Sequence, residues 1–470
     1  MEGGDCSFPP DSSDDHSQRG SVASSATLSR AQDVLVYICG DSAVHLSVEG
    51  LGSVSVQELG RSVRDALHIP DSAQDVFAFW LCSPLLELQL KARHQPYKLC
   101  RQWQDLLYRF TEASEEDISQ DEPCLQYRRN VFYLKSKELQ IDDEGVLRLL
   151  YEEARGNILS GRYPCDPEHW TGLGALSLAL HEGTGLDGQQ CSTTIRKKKL
   201  SSFLPAHVAV GSGGLLSTLR GKSSRLTALE HNLMEEYRKI STPGSAAAPT
   251  QLLHQYLNTC HALPYYGCGF FFGEIDKPVQ GILQRVKRKA VNVGICLEGV
   301  YVMDAKEKHV LLGLHFNELS WDHSYPEEQG DSHILWLEFD GEEDGTPVNK
   351  LLKIYSKQAE LMSGFIEFCV ELKSATDGAA AAEMDGEASS SVTAGQDGGN
   401  KTGRGGRRGM LRRQSSVVCS RVHSLNTISY VDNGKEIKRL KPKRAASFFT
   451  RQASAPTYSA VQVTESLEQG

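Results

Sequence analysis

Several things are missing from this 470-residue chain, and each absence excludes something. No stretch approaches the roughly 18 consecutive apolar residues that a membrane-spanning helix needs. The N-terminus reads Met1-Glu-Gly-Gly-Asp5, with neither basic residues nor an apolar core, so no secretory leader is expected there. The 12 cysteines are scattered, and no two stand in a C-x-x-C pair. That usage suits reduced intracellular thiols better than a disulfide framework. The zinc-protease H-E-x-x-H motif and the serine nucleophile elbow are both absent.

Three partial motifs fail on context. Gly183-Thr-Gly-Leu-Asp-Gly188 fits G-x-G-x-x-G but follows helical periodicity, whereas a pyrophosphate cradle needs a preceding strand. Gly221-Lys-Ser223 resembles a P-loop, yet Leu216 stands where the earlier glycine is required. Cys260, His261 and Cys268 lack a second close ligand pair, and Cys260 falls on an apolar helix face, so buried thiols are the expectation. No catalytic residue, metal ligand or cofactor is expected, and the chain reads as non-enzymatic.

Charge is present but unevenly placed. The net −10 conceals a basic segment, Lys401–Arg451, carrying 14 Lys/Arg against two acids. Residues 1–400 carry −20 in balance, which argues against a nucleic-acid-binding body. The short Arg404-Gly-Gly and Arg407-Arg-Gly pieces lack interleaved aromatics and do not alter that reading. Residues 1–30 and 374–470, rich in Ser, Gly and Asp, are expected to be disordered, the latter basic from 401.

The body between them falls into three parts by period. In 31–100, Val34, Val36 and Ile38 alternate, Gly40-Asp41 turns the chain, and Val44, Leu46 and Val48 alternate back. Ser55 and Glu58 form a capping box before Leu59, Val63, Ala66 and Leu67, Pro70 marks the stop, and a strand over 76–81 follows. That order predicts a ubiquitin-like roll. Residues 101–263 are helical in pattern: Trp103, Leu106, Leu107 and Phe110; Val146, Leu149, Leu150 and Ala154 after a cap at Asp142 or Asp143; Leu173, Leu176 and Leu180; then Leu253, Tyr256, Leu257 and Cys260. Residues 183–224 read as a polar insertion. In 264–373 short β-rich runs precede one helix bearing Leu361, Phe365, Phe368, Cys369 and Leu372, the pattern of a pleckstrin-homology or phosphotyrosine-binding β-sandwich.

The order of these three lobes resembles the FERM module, an α+β assembly of a ubiquitin-like lobe, a helical lobe like acyl-CoA-binding protein and a PH/PTB-like lobe. Local pieces carry the resemblance: Asn130-Val-Phe-Tyr-Leu134, read as a strand before the second-lobe helix; Leu149 to Gly161, with its Arg155 and Ile158-Leu159 turn; Tyr256 to Gly267; and Trp321. His181 stands where members often have Gln, and the insertion after it is long. The resemblance implies a cytoplasmic scaffold at the inner face of the plasma membrane. The partners it implies are tails of rhomboid-like pseudoproteases with their associated sheddase, and tails of lipoprotein-receptor-related Wnt co-receptors. The alternative it leaves is a membrane–cytoskeleton linker that binds acidic phospholipid.

Three sets of site residues follow. An extended peptide is expected between a free strand edge at Ile334, Leu335, Leu337 and Phe339 and the helix bearing Leu361, Phe365 and Phe368, with Lys357 at the rim. Arg285, Lys287, Arg288 and Lys289 are candidates for weak contact with anionic headgroups, as is the run from Arg196 to Lys199. In the tail, Arg-x-x-Ser pieces mark Ser415, Ser416, Ser424, Ser447 and Ser454 for basophilic kinases, and Pro456 gives Ser454 a 14-3-3-like context.

Overall fold

The computed structural model describes residues 31–40, 42–209, 222–241, 248–263, 265–278, 288–328, 332–388, 425–432, 437–440 and 461–462. The first lobe is a five-stranded mixed sheet with one helix across it. Its strands are β1 (Gln32–Cys39), β2 (Ser42–Val48), β3 (Phe77–Cys82), β4 (Glu87–Gln89) and β5 (Cys124–Arg129), in the order β2-β1-β5-β3-β4. β1 and β5 are parallel, and the other pairs are antiparallel. The helix Val56–Leu67 starts at the expected capping box: the Ser55 hydroxyl accepts from the Glu58 amide, and the Ser55 amide donates to the Glu58 carboxylate. Leu59 and Val63 bury its inner face.

The lobe boundary differs from the expected one. The sheet's central strand is β5, so the first lobe closes at Arg129 rather than near residue 100. The helix Trp103–Phe110 precedes that strand, and the Trp103 indole donates to Asp121 at 2.8 Å. Asn130-Val-Phe-Tyr-Leu134 is a turn rather than a strand.

The helical lobe runs through Glu144–Leu159, N-capped by Asp143, then Pro167–Glu182, Lys222–Ile240 and Pro249–His261. The polar insertion is not a loop where it is described. Gly188–Lys198 is a helix N-capped by Asp187, and Ala206–Ala209 is a short one. Cys191, Ile195, Phe203, Leu204 and Val208 bury their side chains. Gly183, at φ +83°, ends the preceding helix, so the G-x-G-x-x-G piece joins two helices.

The third lobe has β6 (Gly269–Asp276), β7 (Arg288–Ile295), β8 (Gly299–Asp304), β9 (Val310–His315), β10 (Leu319–Ser324), β11 (Ile334–Glu343) and β12 (Thr346–Tyr355). β6 to β9 form a meander, β10-β11-β12 a second one, and β12 meets β6 where Tyr355 pairs Glu274. A helix, Ala359–Ala388, closes the sandwich and continues past the expected end near Leu372. The core-facing side of this helix is offset from the expected stripe. Ala359, Met362, Ile366 and Cys369 are fully buried in the sandwich, whereas Leu361, Phe365 and Phe368 are half-buried on the neighbouring face.

The tail also departs from expectation. A hairpin, β13 (Ile428–Asp432) with β14 (Ile437–Leu440), adds to the third-lobe sheet beside β12, so 374–470 is not uniformly unstructured. Val461–Gln462 pairs with β14.

Candidate functional site

The three lobes meet around a cavity of about 1360 Å³, lined from all of them. Its apolar floor is aromatic. Phe132 follows the last strand of the first lobe, and its ring lies 4.9 Å from Phe365 and 4.7 Å, edge-on, from Phe368. Phe365 also meets Phe271 of β6 edge-on at 5.5 Å. Gly269 makes room for it, because a Cβ there would lie 3.2 Å from the Phe365 ring. Aromatic pairs in such offset and edge-on geometry add about 0.5–1.5 kcal/mol beyond their burial.

The walls are charged. Lys91 sits over the Phe368 ring at 5.5 Å, and Lys137 and Lys373 also line the cavity. Arg109 pairs with Glu360 at 2.8 Å, which ties the first lobe to the start of the closing helix. That contact holds the Glu360 carboxyl below the usual range.

Behind the cavity lies a buried knot that joins all three lobes. Glu138, 2% exposed, accepts from Arg129 Nε at 2.7 Å and from the Tyr266 hydroxyl, and contacts His261 Nε2 at 2.8 Å. Arg129 ends the first-lobe sheet and also donates to the carbonyls of Asn130 and Tyr133. His261 ends the last helix of the second lobe, and Tyr266 leads into the third. Burial would raise the Glu138 carboxyl, but the Arg129 charge and the His261 and Tyr266 bonds outweigh it and bring it down to about 2. Burial pushes the Cys260 and Cys268 thiols up, as expected of core cysteines.

The expected site residues are redistributed. β11 pairs with β10 on one side and β12 on the other, from Ile334 to Phe339, so it offers no free edge. Leu335, Leu337 and Phe339 point into the core. The groove between that strand and the helix is therefore not formed. Leu361, Phe365 and Phe368 face the interlobe cavity instead. Lys357 donates to the Tyr108 carbonyl at 3.3 Å and lies 3.8 Å from Glu112, bracing the helix against the Trp103–Phe110 helix. Among the described residues β10 is the strand of this half with a neighbour on one side only, and Trp321 sits there, packed on the third-lobe core.

The candidate lipid residues divide. Lys289 pairs with buried Asp304 at 2.5 Å; Arg288 lies 3.7 Å from Glu274 and 3.8 Å over the Tyr355 ring. Neither presents an uncompensated charge, while Arg285 and Lys287 lie outside the described residues. In the helical lobe Arg196 pairs with Glu230 at 3.0 Å and Lys198 with Glu182. Ser415, Ser416, Ser424, Ser447 and Ser454 lie outside the described residues. The expectation missed Phe132 and Lys91, which lie far from the closing helix in sequence. Val131-Phe132-Tyr133 was a visible apolar signal, but read as strand interior.

Residues 136–271 match the family model described as FERM central domain, and 289–365 match KRIT1/FRMD8, FERM domain C-lobe. FERM domain-containing protein 8 of Danio rerio is 70% identical over 474 residues, covering all of both chains. The Homo sapiens protein of that name is 53% identical over 466 residues and 97% of each chain. The chain belongs to the FERM domain-containing protein 8 family. FERM domain-containing protein B of Dictyostelium discoideum is 24% identical over 42% of this chain and 37% of its own. Among solved structures, the FERM and C-terminal domain complex of Drosophila Merlin aligns at 14% identity and TM-score 0.43, covering 73% of this chain and 95% of that one. FERM proteins generally act as non-enzymatic adaptors on cytoplasmic tails of membrane proteins and are typically cytoplasmic and membrane-associated. Among the described residues no helix is long and apolar enough to cross a membrane.

Proposed function

We propose that this chain is a non-enzymatic scaffold whose interlobe cleft holds an extended segment of a membrane protein's cytoplasmic tail. The observation that carries this is the aromatic floor of Phe132, Phe365 and Phe368 beneath Lys91, in a cavity that Lys137 and Lys373 also line. Such a surface suits a peptide with one or two large apolar side chains and a neighbouring acidic group. Family membership supports tails of rhomboid-like pseudoproteases with their associated sheddase, and of lipoprotein-receptor-related co-receptors, as the partners. On this reading the protein controls how long those complexes stay at the inner face of the plasma membrane and restrains Wnt co-receptor signalling. The pairing of Arg288 and Lys289 with acids favours this reading over a linker held to acidic phospholipid.

The test is fluorescence anisotropy with a labelled peptide from the cytoplasmic segment of a rhomboid-like pseudoprotease. Phe368→Ala and Lys91→Glu should each weaken binding about tenfold or more, the size of a lost anchor contact. Unchanged affinity in both variants overturns the cleft assignment. A second reading, strand addition along β10, is favoured by its one-sided pairing. Hydrogen-exchange protection confined to Trp321–Ser324 on peptide binding would select that reading.

A further inference from the structure

β12 is a long strand whose one edge is shared by two neighbours. Near its end, Tyr355 pairs with Glu274 of β6. Further back, Leu351, Lys350 and Asn349 pair with Ile428, Ser429 and Tyr430 of β13. Without β13, this part of the edge would present open backbone groups, the kind of template that recruits another strand.

The contacts that hold β13 are specific, and the Tyr430 hydroxyl donates to Glu338 and accepts from Asn349. Ser429 is 4% exposed, and its hydroxyl donates to Glu343 Oε1 at 2.7 Å. Lys350 Nζ donates to the same oxygen at 3.3 Å. Leu425, 7% exposed, joins the third-lobe core. β14, by contrast, pairs with β13 and the short strand Val461–Gln462, and Ile437 is 57% exposed. The core on the far side of β12 is filled without the hairpin: Leu352 and Ile354 are buried with Met362, Ile366 and Cys369 of the closing helix. In sequence, residues 389–424 separate the hairpin from that helix.

We propose that the edge of β12 at Asn349–Leu351 is a detachable strand-docking site, distinct from the interlobe cleft, and that its resident ligand is the chain's own tail segment Leu425–Leu440. Three paired positions, one core leucine, the Ser429–Glu343 bond and the bonds of the Tyr430 hydroxyl with Glu338 and Asn349 specify where the segment docks. They leave the rest of the third lobe intact when it leaves. Docking covers the sheet edge at Asn349–Leu351, and release exposes it.

The experiment is hydrogen exchange by mass spectrometry on the full chain, comparing wild type with Ser429→Glu and Ser429→Ala. Glutamate would place a second carboxylate against Glu343 and expel the strand, whereas alanine removes one hydrogen bond and should keep it docked. In wild type the amides within Asn349–Leu351 that face β13 should be protected, and Ser429→Glu should exchange them at least about tenfold faster, while those facing β11 stay protected. The amides of β11 should be unchanged. Adding a synthetic peptide of residues 425–440 to the Ser429→Glu chain should restore protection. Four results overturn the proposal. Equal exchange in wild type and Ser429→Glu means that the strand does not guard this edge. Faster exchange throughout the third lobe means that it belongs to the core and does not detach. Failure of the added peptide to protect denies a docking site, and wild-type protection that fades on dilution assigns the strand to a second copy.

Discussion

Glu138 at the junction of the three lobes makes a quantitative prediction. Its side chain is 1% exposed and lies 2.7 Å from an Arg129 guanidinium that is itself 4% exposed. Replacing it with Gln leaves Arg129 buried without a counter-charge. Breaking a buried pair by removing one partner costs about 3–5 kcal/mol. The carboxyl's displacement gives an independent figure: from the ordinary 4.5 to about 2, which at 1.36 kcal/mol per unit is about 3 kcal/mol. Because the folded-state value is depressed, this stability is fully present above about pH 4.5. It is lost as pH falls toward 2.

Urea unfolding at pH 7, followed by fluorescence of buried Trp80 and Trp103, should move the midpoint of Glu138→Gln down by about 1 M for a slope near 3 kcal/mol per M. The gap from wild type should close as pH is lowered from 4.5 toward 2. The double variant Arg129→Met, Glu138→Leu removes both charges and should lose less than the single change. A midpoint shift under about 0.2 M, or a double variant worse than the single one, would refute the view that the charge pair holds the junction.

Three other outcomes can be checked separately. Gly299→Ala places a Cβ 2.0 Å from the Leu314 carbonyl oxygen across the β8–β9 hairpin, and should cost about 1–3 kcal/mol or more in thermal unfolding. Met362→Ala should cost about 2–5 kcal/mol, whereas Phe368→Ala, on the half-buried cleft face, should cost less; equal losses would contradict the offset of the helix's two faces. After treatment with a basophilic kinase, the chain should bind 14-3-3 through Ser454, and Ser454→Ala should abolish most of that binding in a pull-down, with Ser447→Ala as the comparison.

The features legible from the chain were those whose causes are local. The Ser55–Glu58 box needs only residues three apart, and it forms as read. The helix beginning at Glu144 was visible because Val146, Leu150 and Ala154 recur on one side after a capping aspartate. β5 was not visible. Its Cys-Leu-Gln-Tyr-Arg-Arg sequence carries cations into a central strand, and these are tolerated because Glu87 and Glu153 come from other segments, and Glu138 folds back from the next turn of chain, to meet them. The closing helix misled for another reason. It is covered on two sides, so both Met362-Ile366-Cys369 and Leu361-Phe365-Phe368 are apolar, and periodicity alone cannot rank them. The tail hairpin did leave a trace. Ile428 and Tyr430 alternate ahead of Asn433-Gly434, a hairpin-turn signal that the surrounding Ser and Arg obscured.

A cleft built from three lobes binds well only if the lobes are held in one arrangement, because ordering them on binding would subtract from affinity. The Glu87 cluster performs that holding at a distance from the cavity. Glu87, on β4 of the first lobe, accepts from Arg128 of β5 at 3.2 Å. It also accepts two bonds, at 2.8 and 2.5 Å, from Arg162, which follows the first long helix of the helical lobe. Burial alone would raise its carboxyl, but Arg162 and Arg128 bring it down to about 2. The Arg162 guanidinium also lies 4.4 Å over Phe270 of β6, so one side chain touches all three lobes. Glu87→Gln should leave each lobe folded, because Glu153 still faces Arg128 at 3.8 Å when the Glu87 charge is gone. It should weaken tail-peptide binding about tenfold through looser lobe alignment alone. Anisotropy with the same labelled peptide, paired with hydrogen exchange across Phe270 and Arg128, reads both effects. If exchange rises at the junction while affinity stays at the wild-type value, the peptide is held by a single lobe, and the cleft as a composite site is wrong.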